Sequence, residues 1–287
     1  MADDLDEAAE VFTAVRPRLF GIAYRMLGTV SEAEDIVQDA WLRWQAYDRS
    51  SVRTPSAFLS TTVTRLAITA TQSARVRRET YIGPWLPEPV DTSADPTLGA
   101  ERAEALELAV LYLLERLTPT ERAAYVLREA FDYSYAEIAQ IIEVSEVSAR
   151  QLVSRARKHL ASGRRATVQP RQQQRLLEAF LAAARAGDVA TLEKLLAEDV
   201  VRYSDGGGAV RAARVPVRGR AKVVRLQDAF RGFFSGTEPR WVQANGQPAV
   251  VLFRAGTAVA VGIVAAADDG ITEILWVLNP AKLGGFR

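Results

Sequence analysis

A pair of short helices is encoded by residues 134–160, which read SYAEIAQIIEVSEVSARQLVSRARKHL. Ser134 and Glu137 have the spacing of a capping box, in which each side chain satisfies a free backbone amide at the start of a helix. Apolar residues then recur at helical spacing, and Ser145 stands where it can cap a second helix after a short turn. We therefore predict two helices joined by a tight turn.

The second predicted helix places polar and basic side chains on its outward face. They are Ser148, Arg150, Gln151, Ser154, Arg155 and Lys158. Arginine suits guanine and glutamine suits adenine in the major groove of DNA, so this pattern favours a helix-turn-helix with a recognition helix. A helical hairpin with a basic solvent face is the alternative. The turn carries Glu143, and a left-handed backbone there would cost a glutamate roughly 1 kcal/mol.

Helical spacing also extends through residues 5–78. Ser31 and Glu34 predict a capping box at the start of one helix, whose apolar residues form one buried stripe. Another face of the same helix carries Asp35, Gln38 and Asp39. This face is either a solvated surface or an acidic patch that docks on a basic partner.

The next predicted helix, residues 55–79, ends in a basic run. Its outward hydroxyl, amide and basic side chains are predicted to be Ser60, Thr61, Thr64, Arg65, Thr69, Gln72 and Ser73, followed by the basic run Arg75, Arg77 and Arg78. Hydroxyl groups beside arginines are typical of phosphate and base-edge contacts, although a helix can carry them for other reasons.

The remainder of the chain changes from helical to strand patterning. After two short helical patterns, at residues 175–186 and 189–197, β-branched residues dominate several segments. These segments are 200–204, 210–217, 250–254, 257–264 and 271–278. Residues 268–270, Asp-Asp-Gly, predict a hairpin turn between the last two.

The fold class that follows is multidomain. Residues 5–80 and 100–162 form two all-α helical modules, the second of them a helix-turn-helix. Residues 81–99 are rich in proline, which cannot continue a helix, and predict an extended linker between the modules. Residues 175–287 form an α+β domain.

The composition removes several classes of function. The 287 residues include no cysteine and a single histidine, His159, which excludes disulfides, thiolate zinc sites and multi-histidine metal sites. We expect neither a metal nor a cofactor. There are 36 Lys and Arg against 35 Asp and Glu, so only local clusters of charge can indicate a polyanionic partner.

No segment of the sequence has the pattern of a signal or a membrane span. The N-terminus is acidic, and the longest weakly polar run, residues 255–267, is shorter than the about 20 residues that cross a bilayer. We therefore expect a cytoplasmic protein with no membrane partner.

Several motifs resemble those of one protein family. Residues 12–79, with SEAEDIVQDAW at 31–41, resemble region 2 of bacterial extracytoplasmic-function (ECF) sigma factors, and residues 117–160 resemble region 4. Three further motifs, WLPEP, DGGG and NPAKL, are similar to those of the subgroup with a SnoaL-like C-terminal domain. Their residues are Trp85, Leu86, Pro87, Glu88, Pro89, Asp205, Gly206, Gly207, Gly208, Asn279, Pro280, Ala281, Lys282 and Leu283.

This resemblance implies a sigma subunit that binds core RNA polymerase and directs it to promoter DNA. Asp35, Gln38 and Asp39 would contact the clamp helices of the polymerase large subunit. The −10 contacts would come from the outward residues of 55–79, and the −35 contacts from the helix that carries Arg150. The fused domain would set the placement of the two modules and so control activity in cis, with residues 279–283 contributing.

The resemblance also implies that the C-terminal domain is a SnoaL/NTF2-like cone, in which a curved sheet wraps a helix and leaves a pocket. Asp205 could be an acid there, but no histidine follows His159, and we do not expect an enzyme. The loop at 205–208 either uses its glycines for positive φ or packs on the linker or helical modules. Trp85 either docks in that contact or is buried against the first module. Whether the cone takes a small-molecule ligand stays open.

Two other functions compete with the sigma-factor interpretation. A ligand-responsive DNA-binding repressor would use the cone as its sensor and would bind promoter DNA tightly without polymerase. A SnoaL-like cyclase or isomerase would show turnover that Asp205→Asn abolishes.

Overall fold

The computed structural model describes residues 2–93, 107–161 and 168–286. The side chains of residues 2–4, 75 and 77 are not part of this description. The predicted domain limits at residues 99, 100 and 162 lie outside the described residues.

Contacts divide the described residues into two compact units. The helical unit comprises residues 2–79 and 110–161, and the sheet unit comprises residues 80–93, 107–109 and 168–286. The described part of the proline-rich linker therefore belongs to the same unit as the C-terminal domain.

The first half of the helical unit contains α1 (Ala2–Leu27), α2 (Val30–Ala46), a 3-10 turn (Arg49–Ser51) and α3 (Pro55–Glu79). The helix α1 packs against both α2 and α3. The apolar stripe predicted for α2 is confirmed, because its i, i+3, i+4 residues are buried. They are Ala33, Ile36, Val37, Ala40 and Trp44.

The start of α2 differs from the prediction by two residues. Gly28 has a left-handed φ of 76° just after α1 ends, and the next residue, Thr29, becomes the N-cap of α2. The Thr29 Oγ1 donates to a Glu32 carboxylate oxygen over 2.8 Å. The predicted box of Ser31 and Glu34 is wrong, because Ser31 already lies inside the helix.

The second half of this unit contains α4 (Leu108–Leu114, of which residues 110–114 belong here), α5 (Pro119–Phe131), α6 (Tyr135–Ile141) and α7 (Glu146–Ala161). These bounds confirm the predicted pair of short helices, α6 and α7.

The local signals around α6 and α7 act as the sequence predicts. The Ser134 amide donates to Glu137 Oε2 over 2.7 Å, and the Glu137 amide donates to Ser134 Oγ over 3.2 Å. The Ser148 amide donates to Ser145 Oγ over 3.1 Å, which caps α7. Glu143 has a φ of 57°, so the turn keeps the tight left-handed form without a glycine.

The sheet unit is built on a six-stranded sheet of order β2-β1-β6-β5-β4-β3. Its strands are β1 (Leu196–Asp205), β2 (Val217–Arg218), β3 (Glu238–Ala244), β4 (Gln247–Arg254), β5 (Thr257–Ala267) and β6 (Gly270–Val277). The strands β1 and β6 are parallel, and the other neighbours are antiparallel.

Helices cover one face of this sheet. They are α8 (Pro170–Ala186), α9 (Val189–Leu195), α10 (Arg220–Ala229) and α11 (Arg231–Phe234). All of them contribute buried apolar residues to the core on that face. This arrangement confirms the predicted α+β cone, which follows the two helical modules in the sequence.

Two strand predictions require correction. Of the predicted strand at 210–217, only Val217 is in a strand, and residues 206–216 form an irregular loop. The strand β3 was not predicted, because it is an edge strand whose residues are mostly exposed and show no burial alternation. The predicted turn at residues 268–270 is confirmed, since β5 ends at 267 and β6 begins at 270.

A search of the described helices finds none with the length and apolar character that a membrane crossing needs.

Candidate functional site

The acidic face of α2 is exposed, as predicted. Asp35, Gln38 and Asp39 face solvent, and Leu42 is 54% exposed beside them. Among the described residues, neither carboxylate has an ion-pair or hydrogen-bond partner. A helix face with unpaired negative charge and an exposed leucine is suited to docking on a basic, partly apolar surface.

The helix α3 divides the predicted −10 residues into different environments. Thr61 is half-buried, and its Oγ1 donates to the Ala57 carbonyl over 2.8 Å. Ser60 and Thr64 are both buried, so the predicted exposure of each is wrong, and Thr64 is fully buried. Its hydroxyl donates to the Ser60 carbonyl over 2.7 Å, which satisfies the group inside the packed face of the helix.

Arg65 is exposed but fully engaged within the helical unit. Its Nε donates to the Ile141 carbonyl over 2.9 Å, and its Nη2 donates to the Gln140 carbonyl over 3.1 Å. Its Nη1 lies 3.0 Å from a carboxylate oxygen of Glu143. The guanidinium thus caps the C-terminal carbonyls of α6, where a positive charge also interacts favourably with the helix dipole.

Arg78 is not the exposed cation that the sequence predicted. Its side chain is 13% exposed, forms an ion pair with Glu115 and donates to the Leu27 carbonyl. The same glutamate also binds the buried Arg122, whose Nη1 lies 2.6 Å from its second oxygen. Arg78 therefore holds the helical unit together. The side chains of Arg75 and Arg77 lie outside the described part of the structure.

A pocket of about 500 Å³ opens between α2 and α3. Its lining residues are Arg43, Ala46, Tyr47, Phe58, Thr61, Thr62 and Arg65. The rings of Tyr47 and Phe58 have centroids 4.6 Å apart. Aromatic rings beside arginines are suited to holding an unstacked base and its phosphate.

The outward face of α7 agrees with the prediction for all but one residue. Arg150, Gln151, Ser154, Arg155 and Lys158 are exposed. Ser148 is half-buried, and its Oγ lies 2.8 Å from Ser145 Oγ in the N-cap.

Two arginines of α7 are positioned by acidic partners. Arg150 lies 3.2 Å from Glu146 and 5.0 Å from the centroid of the Tyr135 ring. Arg155 Nε donates to Glu121 over 3.1 Å. Burial alone would raise the pKa of Glu121, but hydrogen bonds from Thr118 and Arg155 hold it below its ordinary value.

The three motifs of the sheet unit converge on Asp205, which is fully buried. One of its oxygens accepts from the Tyr81 hydroxyl at 2.5 Å, and the other accepts from the Leu86 amide at 2.9 Å and from Lys282 Nζ at 2.7 Å. Lys282 lies 4.2 Å from the centroid of the Trp85 ring. We call Tyr81, Trp85, Leu86, Asp205 and Lys282 the linker knot.

The remaining motif residues support this knot. Asn279 Nδ2 donates to the Tyr81 hydroxyl over 2.8 Å. Gly207 has a φ of 58°, and a Cβ at this position would lie 2.3 Å from Asn279 Nδ2, so glycine is required there. The prediction that the DGGG loop packs on the linker is confirmed. Pro87, Pro89 and Leu283 are buried. Gly206 is buried as well, and a Cβ at this position would lie 2.3 Å from the Val210 carbonyl oxygen.

The pKa of the Tyr81 hydroxyl is shifted by its surroundings. Burial and the hydrogen bond to the Asp205 carboxylate raise its pKa well above the ordinary value. The Tyr81 hydroxyl therefore remains a donor at neutral and moderately alkaline pH.

Known proteins resemble this chain in sequence and in fold. Residues 11–77 match the family model for Sigma-70 region 2, and residues 107–160 match that for Sigma-70, region 4. The chain is 38% identical to the ECF RNA polymerase sigma factor SigJ of Mycobacterium tuberculosis, over 96% of this chain and 92% of SigJ. The chain belongs to the ECF sigma factor family.

Further relatives of this ECF sigma factor point the same way. It is 30% identical to the ECF RNA polymerase sigma factor SigG of M. tuberculosis, over 84% of this chain and 72% of SigG. The crystal structure of M. tuberculosis SigJ is similar over 96% of this chain and 98% of that one, with a TM-score of 0.77 and 35% identity. The whole architecture, including the C-terminal domain, is thus shared with a member of the family.

Sequence reasoning missed some residues of this sigma factor. The pocket residues Arg43, Tyr47 and Phe58 were not predicted, although two aromatic rings near the short turn between α2 and α3 were a usable signal. Tyr81 was also missed, because it precedes the WLPEP motif by four residues and only the fold brings it to Asp205.

Proposed function

We propose that this sigma factor binds core RNA polymerase through Asp35, Gln38 and Asp39 and directs it to promoter DNA. The observation that carries the proposal is that one ECF sigma factor has both an acidic face on α2 without ion-pair partners among the described residues and a basic, polar face on α7. The relatives are named as RNA polymerase sigma factors, which supports the same partner. The protein would then act in the cytoplasm, where transcription takes place.

The proposal is tested by run-off transcription with purified core polymerase. Asp35→Arg should reduce both transcript and polymerase pull-down at least about tenfold, because it places like charge against a basic clamp. Glu193→Arg is the matched control, since Glu193 is an exposed carboxylate in the sheet unit. If Asp35→Arg keeps full pull-down, α2 is not the docking face.

We propose that α7 recognises the −35 element. Gln151, Ser154 and Lys158 present side chains free for base or phosphate contacts, and Arg150 stands at the start of the same face. Because Glu121 binds Arg155, that arginine is held in a defined position. The alternative of a plain helical hairpin would give no sequence preference.

We propose that the pocket between α2 and α3 holds an unstacked base of the melted −10 strand. Tyr47 and Phe58 offer stacking surfaces, and Arg43 and Thr61 stand at the wall. Arg65 also lines the pocket, although its guanidinium caps α6 here. Tyr47→Ala should weaken binding to single-stranded −10 DNA by the about 1–3 kcal/mol typical of one base–aromatic stack.

The domain boundaries are part of the proposal. Region 2 would be residues 5–80, the linker 81–99, region 4 residues 100–162, and the SnoaL-like domain 175–287. The contacts of the described linker residues support a linker that is anchored to the SnoaL-like domain instead of hanging free.

We propose that the linker knot lets the SnoaL-like domain control the sigma modules in cis. The linker leads from region 2 to region 4, so anchoring it at Asp205 restricts where the modules can go. Asp205→Asn keeps the shape but weakens the pair with Lys282, and should change the yield of promoter-directed transcript. Asp228→Asn, at an exposed position of α10, is the control. If the wild-type protein, Asp205→Asn and Asp228→Asn give the same yield of transcript, the proposal is wrong.

We propose that the SnoaL-like domain is not catalytic. Asp205, the one acid that the sequence offered for such a role, uses both oxygens to bind Tyr81, Leu86 and Lys282. The Gly207 amide is a fourth donor, 3.1 Å from the oxygen that accepts from Tyr81, so the acceptor positions of this carboxylate are all used and it serves as a structural anchor. Multiple turnovers of any isomerase or cyclase substrate, lost in Asp205→Asn, would contradict this.

A further inference from the structure

A group of buried polar side chains lies inside the sheet unit without hydrogen-bond partners. It consists of Arg202 and Ser204 on β1, Gln227 on α10 and Trp276 on β6, each at most 5% exposed. In the described part of the chain, their unpartnered atoms are Arg202 Nε and Nη1, Ser204 Oγ, both amide atoms of Gln227, and Trp276 Nε1. We call these four residues the inner polar group.

The strand register places these residues on one face of the sheet. Arg202 pairs with Ile274, and Ser204 pairs with Trp276. Because paired residues of adjacent strands share a face, Arg202 and Ser204 lie on the same face as Ile274 and Trp276, which belong to the core beneath the helices.

The helix α10 closes this face from the other side. Its residues Val223, Val224 and Gln227 are buried, and the two valines belong to the same core. Gln227 therefore faces the sheet. The Phe230 ring that follows α10 has its centroid 5.6 Å from the Arg202 guanidinium carbon, which links the helix end to the arginine.

No carboxylate among the described residues forms an ion pair with Arg202. The buried Asp205 on the same strand has the opposite parity and is bound by Lys282. Burial lowers the pKa of Arg202 to about 10, so the guanidinium still carries its charge at neutral pH. A buried cation without a partner is costly, and native proteins pair nearly all such groups.

The inner polar group is rich in donors. The guanidinium, the indole and the Gln227 amide offer N–H groups, and Ser204 adds a hydroxyl, while acceptors are few. Phe234, whose ring centroid lies 5.8 Å from that of Trp276, supplies an apolar neighbour. A donor-rich, positively charged group inside an apolar core matches an anion with several acceptor oxygens and an apolar body.

We propose that the inner face of the SnoaL-like domain binds a small carboxylate ligand, with its carboxylate on Arg202 and its apolar body against Phe230, Phe234 and Trp276. This site is separate from the linker knot and from the surfaces proposed to contact polymerase and DNA. It provides a physical role for an arginine that otherwise lacks a partner.

The test uses the full chain with benzoate and acetate as carboxylate probes and benzamide and acetamide as neutral counterparts, at constant ionic strength. Binding is measured by saturation transfer from the protein to the probe protons and by thermal shift. Benzoate should bind and raise the melting temperature with concentration, and benzamide should do neither. Sodium chloride at equal strength should not reproduce the shift.

Variants locate the site. Arg202→Met should weaken benzoate binding at least about tenfold, since it removes a charge-assisted hydrogen bond. Arg218→Met is the matched control, because Arg218 is an exposed arginine on the neighbouring strand β2. Gln227→Leu leaves the charge of Arg202 in place and removes one N–H donor of the inner polar group. It should therefore weaken benzoate binding less than Arg202→Met does, and it covers the case in which Arg202→Met does not fold.

Two results would overturn the proposal. One is that neither carboxylate binds the wild-type protein more than its neutral amide. The other is that folded Arg202→Met, or folded Gln227→Leu if the first variant is lost, binds benzoate as tightly as the wild-type protein. Since the measurement is binding alone, failure of the transcription assays would leave this test unaffected.

Discussion

Single residues in this protein often serve the fold where the sequence suggested a DNA contact. Thr64 and Arg78 are the examples, since one is buried with an internal hydrogen bond and the other is held by Glu115. Arg65 stands between the two roles. It lines the pocket between α2 and α3, yet its three donor groups hold the end of α6.

Glu143 gives a test at the level of one backbone angle. Its φ of 57° costs a non-glycine residue about 1 kcal/mol of stability. Its ion pair with Arg65 is exposed, so the stabilisation from this pair is smaller than the cost of the backbone strain. Glu143→Gly should raise the free energy of unfolding by up to about 1 kcal/mol, measured by urea denaturation. Glu143→Gln keeps the strain and loses the charge, and should lower it by less than about 0.5 kcal/mol. A Glu143→Gly protein that is less stable than Glu143→Gln would contradict this reasoning.

Tyr81 predicts a pH dependence with a definite sign. Its pKa is raised in the folded protein above the ordinary value of 10.0, so the stability linked to it is present below pH 10 and is lost as the pH rises beyond that value. Stability should therefore fall more steeply above pH 10 in the wild-type protein than in Tyr81→Phe. Urea denaturation across this range measures the difference, and the other tyrosines cancel in the comparison. Parallel curves for the two proteins would show that Tyr81 is not linked to folding.

At the level of helices and strands, capping explains where the elements begin. Two capping boxes are complete, one at the start of α5 with Thr118 and Glu121 and one at the start of α6 with Ser134 and Glu137. The α2 helix begins elsewhere than its sequence signal suggested, because the left-handed Gly28 precedes Thr29. A capping motif therefore does not mark a helix start when the helix has already begun upstream, as α2 does at Val30.

Replacing two serines tests this explanation. Ser134→Ala removes a working cap and should cost about 1 kcal/mol of stability. Ser31→Ala should change stability by less than about 0.5 kcal/mol, because Ser31 is exposed inside α2 and caps nothing. The measurement is the free energy of unfolding in urea. Equal losses in the two variants would mean that Ser31 has a role the structure does not show.

For the whole molecule, the main feature is that the described part of the linker belongs to the same unit as the C-terminal domain. Residues 80–93 share a unit with the sheet, and the Val90 amide donates to Asn245 Oδ1 over 3.0 Å. The buried pair of Asp205 and Lys282 fixes the linker, and breaking such a pair typically costs about 3 kcal/mol or more.

Promoter recognition by the assembled holoenzyme is the corresponding prediction. Gln151→Ala should relax preference at one base pair of the −35 element, at a cost of about 1–3 kcal/mol for the preferred sequence. Lys158→Ala should weaken binding to all sequences alike and reduce the salt dependence by about one unit of slope. Fluorescence anisotropy with labelled promoter DNA at several salt concentrations measures both. If both variants lose affinity uniformly, α7 provides only phosphate contacts.

The sequence by itself determined most helices, most strands, the exposed faces of α2 and α7 and the family, but it did not predict α10 and α11. These features depend on local periodicity, on caps and on motifs, which residues near each other in the chain establish. The sequence could not predict which threonines of α3 are buried. A threonine whose hydroxyl donates to a carbonyl of its own helix, as that of Thr64 does, can occupy a buried or an exposed face equally well.

Only the tertiary structure decided the long-range contacts. Tyr81 meets Asp205 across 124 positions of sequence, and Arg65 meets Ile141 across 76. Arg202 lies on a strand whose pattern otherwise indicates an ordinary buried surface, and its lack of a partner appears only when the sheet and α10 enclose it. The physical reason is that burial and hydrogen-bond satisfaction depend on which distant segments pack together, and local patterns do not specify that packing.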